Sequence, residues 1–277
     1  MKTVQLPSGI AVPVLGQGTW MMGDDPAARQ EEIATLQFGL DQGLTLIDTA
    51  EMYGDGRSEE LVSAAIQGRR DQVFLVSKVL PQNASKTGTI AACERSLSRL
   101  QTDRIDLYLL HWRGGVPLAE TVAAFDALMR SGKIRHWGVS NFDLGDLREL
   151  MSLAPGKQVA TNQLLYNLTR RGIEWDLAPW LRQHSVPVMA YSPVEQGRLA
   201  AHPALLRLAQ SHGRTAAQLA LAWVLDQDSV VAIPKCAQRK HLGENVQVLT
   251  QPLSDEERSA LEHLFPAPTR ATPLAVI

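Results

Sequence analysis

The sequence is short of cysteine, of charge of one sign and of long apolar runs, and each shortage excludes a class of protein. Two cysteines in 277 residues cannot form a disulfide framework, and they lack the spacing of metal ligands. The net charge of −2 offers no electrostatic basis for binding nucleic acid. No apolar stretch approaches the roughly 18–20 residues that span a bilayer, and residues 1–7 contain no apolar core of a secretory signal. We therefore expect a cytoplasmic protein without nucleic-acid or membrane partners.

Short apolar runs recur along the chain with helical patterns between them. They begin near residues 14, 44, 73, 106, 134, 159, 186 and 230, so that six of the seven intervals are 25–33 residues and one is 44. An interval of this length is typical of one strand and one helix of a parallel sheet. Eight such units predict an α/β protein in which residues 1–277 form a single (β/α)8 TIM barrel domain. A doubly wound sheet is the alternative, but it normally has fewer units and a glycine-rich first turn.

Elements outside the regular repeat are also predicted. Residues 4–6 and 10–12 flank Pro7-Ser8-Gly9 as the strands of an N-terminal β-hairpin would, and this hairpin would cap the barrel bottom. The 44-residue interval holds a loop at 192–201 and an extra helix near 203–212, and a further helix is expected at the C-terminus. Four signals mark individual helices: Pro117 in a first turn, an apolar stripe over 89–100, and the pairs Thr215/Gln218 and Ser254/Glu257 at capping-box spacing.

Polar side chains end three neighbouring runs. Asp48, Lys78 and His111 each come at or just past the end of a run, and Tyr53 follows Asp48 by five residues. The carboxyl ends of parallel barrel strands meet at one face, where active sites lie. A lysine near a tyrosine lowers the tyrosine pKa, and an aspartate can hold that lysine in place. The set predicts a site that protonates an alkoxide as it forms, as reduction of a carbonyl by hydride requires.

The later runs end in the same way, in Ser140-Asn141, Asn162-Gln163, Tyr191-Ser192 and Lys235. Any one of these residues is compatible with an ordinary turn, but their recurrence predicts one shared polar cavity. With Gly16-Gln17-Gly18-Thr19-Trp20, Asp48-Thr49-Ala50, Leu110-His111-Trp112 and Ile233-Pro234-Lys235, these motifs make the whole chain resemble the aldo-keto reductase family. The resemblance implies a barrel that binds NADPH, with Tyr53 as general acid assisted by Lys78, Asp48 and His111. The loop Asp48–Tyr53 looks most like that of bacterial members that reduce methylglyoxal and other 2-oxoaldehydes.

The resemblance also implies a cofactor site. Ser140, Asn141 and Gln163 would hydrogen-bond the nicotinamide carboxamide, and Tyr191 would stack on the ring. Ser192 and Gly197 belong to a loop, 192–199, that would fold over the pyrophosphate. Lys235 would meet the 2′-phosphate, with Cys236 beside it, and Glu244 and Asn245 would contact the adenine.

The chain departs from the family pattern at the 2′-phosphate. Cys236 stands where a serine is usual, and His241 stands where an arginine is expected. Imidazole is a weaker phosphate anchor than guanidinium, but Arg239 and Lys240 add positive charge unless they are merely solvated surface residues. We expect NADPH to be preferred, with NADH tolerated.

The resemblance also implies an apolar substrate pocket. Trp20 and Trp112 match the aromatic wall positions of the family, and Met21, Met52 and Val79 would complete the lining. The short loop 112–116 and the short segment 266–277 predict an open pocket for small aldehydes. We expect a monomer without a metal. A non-catalytic NADP(H)-binding regulator or sensor is the alternative function; a metal-dependent barrel hydrolase is a third, but only His111 among the histidines lies at a strand end.

Overall fold

The computed structural model describes residues 2–277, so Met1 of the N-terminal segment lies outside the described residues. Within that range there are ten strands: β1 Thr3–Gln5, β2 Ala11–Pro13, β3 Gln17–Gly18, β4 Leu46–Asp48, β5 Phe74–Val79, β6 Ile105–Leu110, β7 Ile134–Ser140, β8 Asn162–Leu165, β9 Val188–Tyr191 and β10 Val230–Ala232. The same range contains ten α-helices: α1 Arg29–Asp41, α2 Arg57–Ile66, α3 Lys86–Leu100, α4 Leu118–Arg130, α5 Leu144–Ser152, α6 Leu177–Gln183, α7 Pro203–Ser211, α8 Ala216–Asp226, α9 Arg239–Gln247 and α10 Asp255–Leu264.

Strands β3 to β10 form one parallel sheet in chain order, and this sheet closes on itself. At the closure the Gly16 N–H donates to the Ala232 carbonyl at 2.8 Å, and the Gly18 N–H donates to the Pro234 carbonyl at 3.0 Å. A Cβ on Gly18 would lie 2.7 Å from the carbonyl oxygen of Ile233, so only glycine permits this approach. The predicted (β/α)8 barrel is confirmed.

The hairpin and the extra helices are also where the sequence predicts them. Strands β1 and β2 pair antiparallel with Val4 opposite Val12, and both side chains join the buried apolar cluster. Next to the hairpin, the Lys2 carbonyl accepts from the Val14 N–H at 3.1 Å just before β3, and Lys2 Nζ donates to the Leu225 carbonyl at 3.2 Å before β10, so the hairpin lies at the end of the barrel where the strands begin. Helix α7 is the extra helix of the long interval, and α10 is the C-terminal one. None of the helices in residues 2–277 combines the length and the apolarity needed to cross a bilayer.

The helix starts follow local capping signals. Both predicted capping boxes form, with Thr215 and Gln218 at the start of α8 and Ser254 and Glu257 at the start of α10. Helix α3 begins three residues before the predicted start at residue 89, because the Ser85 side chain caps it by accepting the N–H of Gly88 at 3.1 Å.

The helices pack on the barrel through a continuous apolar layer. Phe125 of α4 stacks on Trp137 of β7 with ring centroids 5.3 Å apart, and it meets Tyr108 of β6 edge-on at 6.0 Å. Most residues of the barrel strands are buried on both faces, which is why the strands read as apolar runs. Polar side chains near the carboxyl ends of these strands are therefore the groups that meet the loops above the barrel.

Candidate active site

Lys78 joins the other predicted catalytic residues. Its fully buried Nζ lies 2.8 Å from Asp48 Oδ2, 2.9 Å from the Thr49 carbonyl and 3.0 Å from Tyr53 Oη. The sequence predicts that Lys78 lies just past the end of its strand. In the structure Lys78 lies within β5, because this strand continues to pair with β6 as far as Val79. Adjacent strands β4 and β5 therefore hold the carboxylate and the ammonium face to face.

The Tyr53 hydroxyl keeps its proton at neutral pH. Burial raises its pKa, and this effect outweighs the lowering by the Lys78 charge, so the expected net decrease is wrong. Burial alone would lower the pKa of Lys78, but the charge of Asp48 and the contact with Tyr53 outweigh burial and raise it. The pair is thus a protonated phenol beside an ammonium. Lys78 is placed to stabilise the phenolate that would remain after Tyr53 gives up its proton.

His111 follows β6 and lies against the Tyr53 ring. The two rings meet edge-on with centroids 5.8 Å apart. Burial and the nearby Lys78 charge lower the pKa of His111 to about 2, so the imidazole is neutral. Its buried Nδ1 has no hydrogen-bond partner among the described residues. Because Nδ1 is buried, Nε2 is the ring nitrogen that could contact a substrate.

The four residues expected at the nicotinamide come together. The Tyr191 hydroxyl donates to Asn141 Oδ1 at 2.9 Å, and the Ser140 hydroxyl donates to the Gln163 carbonyl at 2.9 Å. Gln163 Nε2 donates to Asp48 Oδ1 at 2.8 Å, so this group also touches the catalytic cluster. Amide and hydroxyl groups beside a half-buried aromatic ring form a set that suits a primary carboxamide on a planar ring.

The loop after β9 is fixed by hydrogen bonds among Glu195, Asn167 and Arg170, which the sequence does not single out. Glu195 is buried, and its Oε2 accepts from Asn167 Nδ2 at 2.7 Å while its Oε1 accepts from Arg170 at 2.8 Å. Ser192 has a positive φ of 48°, and Gly197 has a φ of 87°, which favours glycine. A fixed loop with an unhindered glycine fits the expected cover over a pyrophosphate. An Asn followed three residues later by an Arg carries no signal that sequence analysis could have used.

Two of the residues expected near the 2′-phosphate and the adenine contact each other. Lys235 is exposed and Cys236 is half-buried. Asn245 Nδ2 lies 3.1 Å from Cys236 Sγ. This contact links the residues that follow β10 to α9. Burial raises the pKa of the Cys236 thiol to about 11, so it is neutral and adds no negative charge next to Lys235.

Two other basic residues of this region, Arg239 and His241, have carboxylate partners. His241 Nδ1 lies 3.2 Å from Glu244 Oε2, and Arg239 lies 3.3 Å from Glu31 on α1. Arg239 and Lys240 are exposed. Arg239 would have to break its ion pair with Glu31 before it could bind a phosphate. Lys235 is therefore the better candidate for the main contact with the 2′-phosphate.

The apolar residues predicted for the pocket divide into two groups. Trp20, Met21 and Met52 expose 39%, 56% and 43% of their surfaces, and Trp112 packs against His111 with centroids 4.8 Å apart. Val79 is fully buried in the core. It therefore does not line an open pocket, because its side chain on β5 has no solvent-accessible surface.

The segment after α10 borders the site. Burial raises the pKa of Tyr191 to about 12, and the nearby Ile277 backbone partly opposes that rise. A Cβ on Gly172 would meet the Thr272 hydroxyl at 2.5 Å, so this segment also packs closely on the chain between β8 and α6.

A separate cavity lies away from the predicted site residues. A cavity of about 200 Å³ lies between α6 and the starts of β9 and β10, and none of the predicted site residues lines it. The described part of the chain has no group of three His, Cys, Asp or Glu residues that could hold a metal ion.

Comparison with known proteins identifies the family. Residues 14–265 match the model of the aldo/keto reductase family. The chain belongs to that family. It is 50% identical to the methylglyoxal reductase YeaE of Escherichia coli over 281 residues, covering 100% of this chain and 99% of that protein. It is 33% identical to the glyoxal reductase of Bacillus subtilis over 267 residues, covering 95% and 92%.

A solved structure supports the fold along the whole chain. The aldo/keto reductase of Klebsiella pneumoniae in complex with NADP and acetate superimposes with a TM-score of 0.97 and 52% sequence identity, over 100% of this chain and 99% of that one. The chain is therefore an oxidoreductase of the aldo/keto reductase family, and a small carbonyl compound is its class of substrate.

Proposed function

We propose that the protein is an NADPH-dependent reductase of small aldehydes and 2-oxoaldehydes such as methylglyoxal. The observation that carries the proposal is the position of Lys78 Nζ, within 3.0 Å of both Asp48 Oδ2 and Tyr53 Oη. The names of two relatives, a methylglyoxal reductase and a glyoxal reductase, support this substrate class. The Klebsiella structure, which contains NADP, supports the cofactor.

In the proposed mechanism Tyr53 is the proton donor. Bound NADPH would supply the hydride that reduces the carbonyl carbon. As negative charge grows on the carbonyl oxygen, the Tyr53 hydroxyl gives it a proton, and Lys78 stabilises the phenolate. His111, neutral at physiological pH, holds the same oxygen through Nε2–H. Asp48 fixes Lys78 and offsets the cost of burying its charge.

The proposed cofactor contacts follow the geometry of the rim. Ser140, Asn141 and Gln163 would bind the carboxamide, and Tyr191 would lie against the ring. The loop containing Ser192 and Gly197 would cover the pyrophosphate. Lys235 would bind the 2′-phosphate, with His241 as a weaker second anchor, and Glu244, Asn245 and Cys236 would line the adenosine. We propose that NADH is bound less tightly and not excluded.

We propose that Trp20, Trp112 and Met52 form the substrate walls. We further propose that residues 1–277 act as one barrel domain, as a cytoplasmic monomer without a nucleic-acid partner, in keeping with the near-neutral charge. The non-catalytic regulator has no support among these relatives, which are named as reductases.

A substrate panel tests the proposal. Methylglyoxal, glyoxal, a larger aromatic aldehyde and an aldose would be assayed with NADPH by following its absorbance. We expect the highest kcat/KM for the two small 2-oxoaldehydes. Equal or higher kcat/KM for the aldose would contradict the substrate class, and no oxidation of NADPH with any carbonyl would contradict the reductase.

A further inference from the structure

Glu51 stands between Asp48 and Tyr53 in sequence, and the reaction described above leaves it without a role. Its side chain is buried, with 6% of the surface exposed, although it is a carboxylate in a loop. Burying an ionised carboxylate is unfavourable unless hydrogen bonds compensate for the lost water. Its contacts therefore indicate what this residue does.

The hydrogen bonds of Glu51 all lead to the end of β5 and the turn that follows it. The Glu51 backbone N–H donates to the Lys78 carbonyl at 3.3 Å. Its Oε1 accepts from the Leu80 N–H at 2.8 Å and from Asn83 Nδ2 at 2.9 Å. Its Oε2 lies 3.5 Å from Arg95 of α3, whose side chain is half exposed. Backbone and side chain together attach the loop after β4 to the end of β5 and the turn that follows.

The loop has little other regular support. Met52 is exposed, and Gly54 and Asp55 have positive φ inside the single 3-10 turn Tyr53–Gly56, so no regular helix or strand holds Tyr53 in place. The distance between Tyr53 Oη and Lys78 Nζ is nevertheless 3.0 Å. A displacement of about 1 Å in such a pair can cost about 100-fold in rate.

We propose that Glu51 is a positioning residue: its carboxylate sets the distance between Tyr53 and Lys78 by clamping the loop of Tyr53 to the Leu80 N–H and the Asn83 amide. This inference rests on the proposed role of Tyr53 as proton donor. The clamp requires a side chain long enough to place an acceptor oxygen at both donors. It does not require a negative charge, because the amide oxygen of a glutamine, which is as long as glutamate, could accept both hydrogen bonds.

Two conservative variants separate reach from charge. Glu51→Gln keeps the length and loses the charge, whereas Glu51→Asp keeps the charge and is shorter by one carbon–carbon bond, about 1.5 Å. We expect Glu51→Gln to keep kcat for methylglyoxal within about threefold of the wild type. We expect Glu51→Asp to lower kcat by about 10–100-fold, with the Kd for NADPH, measured by tryptophan fluorescence, unchanged. The opposite order, or an unchanged kcat in Glu51→Asp, would overturn the proposal.

A second pair applies if Glu51→Asp does not fold. Asn83→Asp places a second carboxylate against Glu51 Oε1 and should lower kcat. Adding Glu51→Gln to it supplies an amide donor and should restore most of kcat. A double variant as slow as Asn83→Asp alone would also overturn the clamp.

Tyr53→Phe, assayed in parallel, distinguishes failure of the proposed proton donor from failure of the proposed clamp. If Tyr53→Phe remains active, the proposed proton donor is wrong whatever Glu51 does. If Tyr53→Phe is inactive while Glu51→Asp is fully active, only the role of Glu51 is wrong.

Discussion

Gln163 Nε2 donates a hydrogen bond of 2.8 Å to Asp48 Oδ1, and Asp48 Oδ2 lies 2.8 Å from Lys78 Nζ. One buried carboxylate is therefore shared between the group expected to bind the nicotinamide and the group expected to deliver the proton. The two partners are 115 residues apart in the chain and meet because β4 and β8 belong to the same closed barrel. Asp48 thus fixes the predicted nicotinamide-binding group and the predicted proton-donating group relative to each other by direct contacts.

Replacing Tyr53 by phenylalanine removes the proton donor and keeps the ring that packs on His111. We expect kcat for carbonyl reduction to fall by about 10²–10⁴-fold, the usual contribution of a positioned general acid. The Kd for NADPH should stay within about twofold, because no cofactor contact is assigned to this hydroxyl. Steady-state kinetics and fluorescence titration measure the two quantities. Full activity in this variant would falsify the assignment.

Replacing Lys78 by methionine leaves Asp48 as an unpaired buried carboxylate. Breaking a buried ion pair in this way costs about 3–5 kcal/mol, and we expect the free energy of unfolding in urea to fall by that order. The double variant Lys78→Met, Asp48→Asn removes the stranded charge as well and should recover part of the loss. A double variant less stable than Lys78→Met alone would show that the two groups do not compensate each other. All these variants should lose reductase activity.

Replacing Lys235 by methionine should change the preference between the two nicotinamide cofactors. A charge-assisted hydrogen bond contributes about 1.5–3 kcal/mol, so the Kd for NADPH should rise by about 10–100-fold. The Kd for NADH should barely change, since NADH lacks the 2′-phosphate. Lys240→Met, at an exposed lysine of the same region, is the matched control. Equal weakening of both cofactors by Lys235→Met would place the phosphate elsewhere.

His111 makes stability depend on pH in a defined direction. Its pKa in the folded protein is lowered to about 2, whereas an unfolded histidine titrates near about 6.5. Below pH 6.5 the unfolded chain gains a proton that the folded chain does not, so this residue destabilises the fold as the pH falls. Between pH 7 and 5 the loss from this residue should be about 2 kcal/mol.

Urea unfolding of wild type and His111→Asn at both pH values measures that contribution. The wild type should lose about 2 kcal/mol more than the variant between pH 7 and 5. Carboxylates affect both proteins alike and cancel in the difference. Equal losses would mean that His111 can be protonated in the folded state.

Much of the site could be predicted because its signals are local. Asp48, His111 and Ser140 end apolar strands, and the carboxyl ends of parallel strands share one face of a barrel. The capping boxes at Thr215 and Ser254 depend on residues three apart, so they too are visible in the sequence. The length of β5 was misjudged because Ser77 and Lys78 are polar, although the ladder with β6 continues through both.

Residues whose role depends on distant partners could not be predicted. Glu51 reads as a loop carboxylate until Leu80 and Asn83 are seen beside it. Glu195 likewise has no recognisable role without Asn167 and Arg170. Val79 was assigned to the pocket from its position in sequence, but the packing of the barrel buries it completely.

By itself the sequence determined the eight-unit barrel, the family resemblance and the choice of Asp48, Tyr53, Lys78 and His111 as candidate catalytic residues, because periodicity, strand ends and motifs are properties of neighbouring residues. Only the tertiary structure decided the protonation of Tyr53, Lys78 and His111. Burial outweighs Lys78 in setting the Tyr53 pKa, and it holds His111 neutral. Desolvation depends on every atom packed around a group, and the folded chain brings those atoms together from strands far apart in sequence.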